Sequence, residues 1–245
     1  MLNNINRLLT FVLVLMAFLL NAQENQMDSS GKRHGLWKGY HEKTKKLRYE
    51  GNFDHGKELG VFKYYADNKE NTLMATRDFS QGDGSCYTVF YDTKKFKVSE
   101  GNLVNKKPEG LWKYYHFESD KIMNLENYKN GKLNGEKNVY YKNGQIAEKS
   151  FYKAGSLEGK YIKYAENGNL IEESNFVNGN LNGKVAYYDG EGNVLVKGEY
   201  KNNKKSGTWE TYENGKLVKK ESAKKFSGKN FKMDNPKEVE NKEKK

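Results

Sequence analysis

Four histidines, one cysteine and one adjacent pair of glutamates are the residues whose types could support chemistry. They are His34, His41, His55, His116, Cys86 and Glu172-Glu173. A structural zinc site takes about four Cys or His ligands at short spacings. The chain has a single cysteine, and His34 and His41 do not stand at ligand spacing from it, so no metal site is expected. His34, His55 and His116 fall at or near predicted turns and read as solvated turn residues. A cysteine nucleophile needs neighbours that lower its pKa. Cys86 lies between Ser85 and Tyr87, which do not. Glu172 and Glu173 could serve as acid and base only by flanking one bond, and adjacent strand residues point to opposite faces. Gly82-Asp83-Gly84 lacks the later carboxylates of a calcium loop and reads as a turn. Neither G-x-S-x-G nor a phosphate-binding loop occurs. The expectation is a protein without catalytic residues, metal or cofactor.

The elements that hold these residues are set by a repeat. "GKLNGEKNVYYKNGQIAEKSFYKAG" is followed at once by "GSLEGKYIKYAENGNLIEESNFVNG". An anchor glycine, which closes G-x-x-x-G at five of the positions, falls at Gly35, Gly60, Gly110, Gly135, Gly159, Gly183 and Gly207. Cys86 fills the one empty slot, which makes the spacings 25, 26, 24, 25, 24, 24 and 24 residues. Cys86 therefore reads as a small residue substituting for a glycine. Tyrosine stands five residues after every anchor: Tyr40, Tyr65, Tyr91, Tyr115, Tyr140, Tyr164, Tyr188 and Tyr212. Two residues after the anchor come Trp37, Phe62, Trp112, Tyr161 and Trp209. A third ladder is Phe53, Phe79, Leu103, Tyr128, Tyr152, Phe176 and Tyr200.

Each unit splits at a turn. Asn143-Gly144, Asn167-Gly168 and Asn214-Gly215 tolerate positive φ and predict type I′ hairpin turns in mid-repeat. Asn130-Gly131 and Asn178-Gly179 mark second turns between units. The intervening stretches are rich in Tyr, Phe, Val and Ile, which is strand chemistry. Eight hairpins predict an all-β, elongated antiparallel meander of about sixteen strands, roughly 70 Å along the sheet at about 4.8 Å per strand. Such a sheet should twist or curl into a trough. Each hairpin would touch mainly its neighbours, as in a solenoid.

Composition agrees. Apolar residues make up 36% and mean hydropathy is −1.01, too little for a thick core, while aromatics reach 13%, too many for disorder. The first residues are different. Arg7 precedes an apolar run from Leu8 to Leu20, which is shorter than the ~20 residues a spanning helix needs and matches a secretory signal core. Residues 1–23 read as a signal peptide, 24–30 as a short linker, 31–228 as the repeat array and 229–245 as a Lys/Glu-rich disordered tail. The localisation implied is periplasm, cell surface or extracellular space. With one cysteine, an exported chain has no internal disulfide.

The pattern "G-K-L-N-G-x-x-x-x-Y-Y-x-N-G" followed by "F/Y-x-N-G" resembles the MORN-repeat variant of many bacterial proteins, over about residues 31–228. The resemblance implies a β-hairpin array with a binding or scaffolding role and no catalytic residue. Bacterial chains of this kind are often labelled antitoxins. The first three units depart from the pattern, since they lack the mid-repeat Asn-Gly and carry Cys86.

The net charge is +11, spread along the chain. Export disfavours nucleic acid as a partner. Rings interleaved with lysine suggest either a stacking surface for glycans or a seat for anionic lipid headgroups. Trp37, Phe62, Trp112, Tyr161 and Trp209 are the candidate ligand surface, although cross-strand pairing alone would account for the rings. The reading is an exported, non-enzymatic module that binds another protein at the cell envelope, with a glycan- or lipid-binding module or an antitoxin-like protein as alternatives.

Overall fold

The computed structural model describes residues 24–223. The signal-peptide segment, the tail and the last residues assigned to the array lie outside the described residues. Everything described is β-structure and connecting turns, in one antiparallel sheet of nineteen strands that is not closed into a barrel. Sixteen strands are long, as eight hairpins require, and three are two-residue pieces.

The chain divides into two compact units at Leu133/Asn134. The first holds β1 (Gln26–Met27), β2 (Arg33–Tyr40), β3 (Leu47–Asp54), β4 (Lys57–Tyr65), β5 (Leu73–Asp78), β6 (Cys86–Tyr91), β7 (Lys97–Val104), β8 (Lys107–Tyr115) and β9 (Ile122–Lys129). The second holds β10 (Lys132–Tyr140), β11 (Ile146–Lys153), β12 (Ser156–Leu157), β13 (Gly159–Tyr164), β14 (Leu170–Val177), β15 (Asn180–Leu181), β16 (Gly183–Tyr188), β17 (Val194–Lys201), β18 (Lys204–Glu213) and β19 (Lys216–Ser222).

Two kinds of turn alternate, and the type I′ geometry expected in mid-repeat falls mostly between repeats instead. Six of the seven turns between repeats are two-residue type I′ turns, with positive φ at both residues: His55-Gly56, Asn105-Lys106, Asn130-Gly131, Ala154-Gly155, Asn178-Gly179 and Asn202-Asn203; the seventh, between β5 and β6, is a longer loop. At Asn143-Gly144 and Asn167-Gly168 only the glycine has positive φ. Those mid-repeat loops are longer. They close with the Tyr141 N–H donating to Gln145 O and the Ala165 N–H to Asn169 O, so a single left-handed residue suffices. Asn214-Gly215 is type I′ as expected.

Bulges explain the two strictest sequence ladders. In all eight hairpins the register slips by one residue just before the ladder tyrosine, for example between Gly39 and Tyr40 and between Thr211 and Tyr212. The anchor glycines mark a second bulge. Glu50 pairs with Lys63 and Asn52 with Leu59, so Gly60, Val61 and Phe62 lie opposite the single residue Gly51. Gly110 to Trp112 oppose Gly101, and Gly207 to Trp209 oppose Gly198, in the same way. All seven anchor glycines have positive φ, between 63° and 114°, which is what such a bulge demands of its first residue.

Cys86 does not belong to that series. β5 and β6 pair in regular register from Ala75↔Phe90 to Asp78↔Tyr87, without a bulge, and Cys86 has no positive φ. The expectation that it stands in for a glycine is therefore corrected. Its side chain is buried in a cluster with Phe53, Phe62 and Phe79. Cys86→Ala should cost about 1 kcal/mol for the lost side-chain burial. Cys86→Gly should cost about 0.5–1 kcal/mol more for the added backbone freedom in a strand. Urea melts of the two variants check the order, and a neutral Cys86→Gly would restore the glycine-slot reading.

Candidate functional site

Strand alternation gives each unit an aromatic face and a polar face. On the aromatic face of the first unit, Phe62 is 1% exposed and Trp112 4%. Phe62 meets Phe53 and Phe79 edge-to-face at 5.1 and 5.5 Å between centroids. In the second unit Trp209 is 5% exposed and meets Tyr200 at 5.2 Å, and Tyr161 meets Phe176 at 5.9 Å. At Trp37, Phe62, Tyr161 and Trp209 the slot two residues after the anchor thus packs edge-to-face on the third ladder, a favourable ring geometry.

Small residues receive these rings. A Cβ on Gly51, Gly101 or Gly198 would lie 2.4–2.5 Å from the ring of Phe62, Trp112 or Trp209 respectively. Ring on backbone glycine is therefore the recurring contact. Of the candidate ligand surface, Phe62, Trp112 and Trp209 are spent in this way and have no ring face in water. Trp37 and Tyr161 are half-buried. Trp37 donates its indole N–H to Gln26 O at 3.0 Å, and Tyr161 donates to Glu148 at 3.1 Å.

The polar face is built from tyrosine, glutamate and lysine. The Tyr65 hydroxyl donates to Glu50 at 2.8 Å, Tyr115 to Glu100 at 2.5 Å and Tyr188 to Glu173 at 3.2 Å. The acceptor lies fifteen residues earlier each time. At the same offset before Tyr212 stands Lys197, whose amine lies 4.9 Å from the ring centroid. Lysines complete the clusters: Lys63 on Glu50, Lys97 and Lys113 on Glu100, Lys160 on Glu173, and Lys197 and Lys220 on Glu210. The Tyr65 hydrogen bond is the main cause holding Glu50 below the usual carboxylate range. Burial would raise Glu100, but hydrogen bonds from Lys97 and Tyr115 outweigh it and hold that carboxyl down too. Burial first, then the Glu50 carboxylate, pushes Tyr65 up to about 12.

A groove of about 560 Å³ opens on the polar face of the second unit. Charged and polar side chains such as Lys160, Glu173, Lys184, Lys197 and Glu210 line it, together with the smaller Val185, Ala186 and Gly198. Glu172 and Glu173 take different faces. Glu172 accepts from Ser174, while Glu173 lines the groove, pairs with Lys160 there and accepts from the Tyr188 hydroxyl. They do not flank a common point.

The histidines are not all where the turns suggest. His41 contacts Tyr65 O at 3.2 Å. His34 and His55 come together, with ring centroids 4.9 Å apart, beside Asp54. About twenty residues separate them in the chain. The β2–β3 pairing, with Gly35 opposite Phe53, closes that distance, and only knowledge of the register could reveal it.

Three consecutive units match the MORN repeat variant. The matched segments are residues 133–154, 157–178 and 181–202. Each contains an anchor glycine, a ladder tyrosine and a mid-repeat loop with one positive-φ glycine. No curated protein matches the chain. The three matched segments contribute β13, β14, β16 and β17 to the groove, so they supply most of its wall.

Proposed function

We propose that the chain is an exported, non-catalytic repeat protein that binds another protein across the polar face of its second unit. MORN repeats are commonly protein- or lipid-binding modules. The observation that carries the choice is the pairing of the groove lysines. Lys160 lies 2.7 Å from Glu173, and Lys197 lies 3.2 Å from Glu210. An anionic bilayer favours a surface of one sign, whereas alternating charges match the mixed surface of a protein. Glycans need a ring face in water. The residues that line the groove include no aromatic ring, and Trp209 and Val185, in the slots two residues after their anchors, are buried. The apolar run at the N-terminus supports export.

The test is capture by the full-length chain from envelope extract, beside binding to purified glycans and to vesicles containing anionic lipid. Lys184 lines the groove and is exposed, so Lys184→Glu should leave melting unchanged, as for most surface substitutions. It should weaken capture of the protein several-fold, and added salt should weaken wild-type capture as well. Saturable vesicle binding abolished by Lys184→Glu would replace the protein reading with the lipid one. Intact-mass analysis of exported protein should show a chain beginning near Gln23 or Glu24.

A further inference from the structure

We propose that His34, Asp54 and His55 form a binding site for a divalent transition-metal ion of the zinc class, with Asp28 orienting His55 from outside. The site is independent of the groove and lies at the start of the first unit. His34 stands near the start of β2, Asp54 closes β3, and His55 is the first residue of the type I′ turn that follows.

The donor geometry fits. His34 Nδ1 is 3.5 Å from Asp54 Oδ1, and His55 Nε2 is 3.8 Å from the same oxygen. One ligand atom from each of the three residues lies within 4.8 Å of the others. Ligands held at about 2.0–2.2 Å around a tetrahedral zinc ion stand roughly 3.3–3.6 Å apart, so small side-chain rotations would bring the set onto one ion. Two imidazoles and one carboxylate suit zinc and its neighbours in the series, and not calcium or magnesium, which take oxygen donors.

The second observation is the outer contact. His55 Nδ1 lies 2.6 Å from Asp28 Oδ2. A carboxylate on one ring nitrogen fixes the tautomer and presents the other nitrogen to a metal, and Nε2 is the atom that faces Asp54. Asp28 is itself fixed. Its side chain is 8% exposed, and its Oδ1 accepts the Ser30 and Lys32 N–H groups at 2.8 and 2.9 Å. His55 is thereby held from one side while its free edge points at the other donors.

Three protein donors leave a fourth position open, as in zinc sites that exchange ligands. The ion would tie the N-terminal loop at Asp28, the head of β2 and the end of β3 together. End repeats of an array have one neighbour and open most easily, so a metal clamp at this end would hold the first hairpin closed.

The experiment is titration of the full chain, carrying no added histidine tag, with Zn²⁺ by calorimetry and with Co²⁺ by visible absorption. The expected result is one ion per chain in the micromolar range and a Co²⁺ spectrum of tetrahedral intensity. His34→Ala and His55→Ala should each weaken binding at least tenfold, and Asp28→Asn should weaken it about 10–100-fold, the usual effect of removing an outer-shell partner. His41→Ala and His116→Ala should bind as wild type does. Hydrogen exchange of wild-type residues 28–56 should slow when Zn²⁺ is added, a readout that needs no variant to fold. Absence of saturable one-site binding, wild-type affinity in both His34→Ala and His55→Ala, or unchanged exchange at those residues would each overturn the site.

Discussion

Trp112→Ala is expected to lower the unfolding free energy by about 3–5 kcal/mol, the range for a large buried ring. Trp112 is 4% exposed, rests on Gly101, and donates its indole N–H to Asn102 O at 2.9 Å. Truncation removes the burial, the ring-on-glycine contact and the hydrogen bond together. The partner substitution tests the same contact from the other side. A Cβ on Gly101 would stand 2.5 Å from the ring, so Gly101→Ala must displace Trp112 and should cost about 1–3 kcal/mol as overpacking. Gly101 has no positive φ, which leaves sterics as the sole cause. The double variant decides the matter. Once Trp112 is alanine, the added methyl fills space the ring has left, and Gly101→Ala should then be nearly neutral. Urea melts of the four proteins give the coupling energy directly. Strict additivity, or a neutral Gly101→Ala in the wild-type background, would show that the ring does not rest on this glycine.

Much of this architecture is legible in the chain because a repeat restates its constraints eight times. Any position that must be glycine or tyrosine becomes visible as a ladder, and the hairpin order follows from turn residues between strand-forming stretches. The reasons behind the ladders are not legible. Tyr115 and its equivalents stand beside a one-residue bulge, and several donate to a carboxylate fifteen residues earlier. Register slips of that kind leave no mark in composition. Gly101 and Gly198 escape notice because they recur only where a large ring stands eleven residues later. Cys86 is misread for a related reason. Spacing puts it in the anchor series, but the series exists to serve a bulge that β5 and β6 do not make. The same limitation hides the His34–Asp54–His55 constellation, since short-range ligand spacing is blind to residues joined by a ladder.

Alkaline unfolding should be the largest pH effect, beginning above about pH 10, the ordinary tyrosine value. Burial is the leading cause that raises the tyrosine hydroxyls at Tyr64, Tyr65, Tyr115, Tyr128, Tyr161, Tyr187, Tyr188 and Tyr200. Carboxylate neighbours add to it at several of these: Glu50 for Tyr65, Glu100 for Tyr115, Glu126 for Tyr128 and Glu148 for Tyr161. A tyrosinate there would be both desolvated and set against a negative charge. The unfolded chain ionises near the ordinary value of 10.0, while folded Tyr65 waits until about 12. Folded pKa above unfolded pKa means that the folded state keeps protons the unfolded state has released. The stabilisation is therefore complete below about pH 10 and is lost as pH rises through the folded values. Because the effect is repeated along both units, the losses accumulate as pH rises above the ordinary tyrosine value. Lysines lose their charge over the same range, so sheet loss alone does not identify the cause. Tyrosinate absorbance and far-ultraviolet circular dichroism should be followed together from about pH 8 to 13, a range that brackets the tyrosine titration. Tyrosinate should appear late and cooperatively, in step with loss of the sheet signal. Smooth ionisation of the tyrosines near their ordinary value with the sheet signal intact would mean that these hydroxyls are open to water and that their carboxylate bonds do not hold in solution.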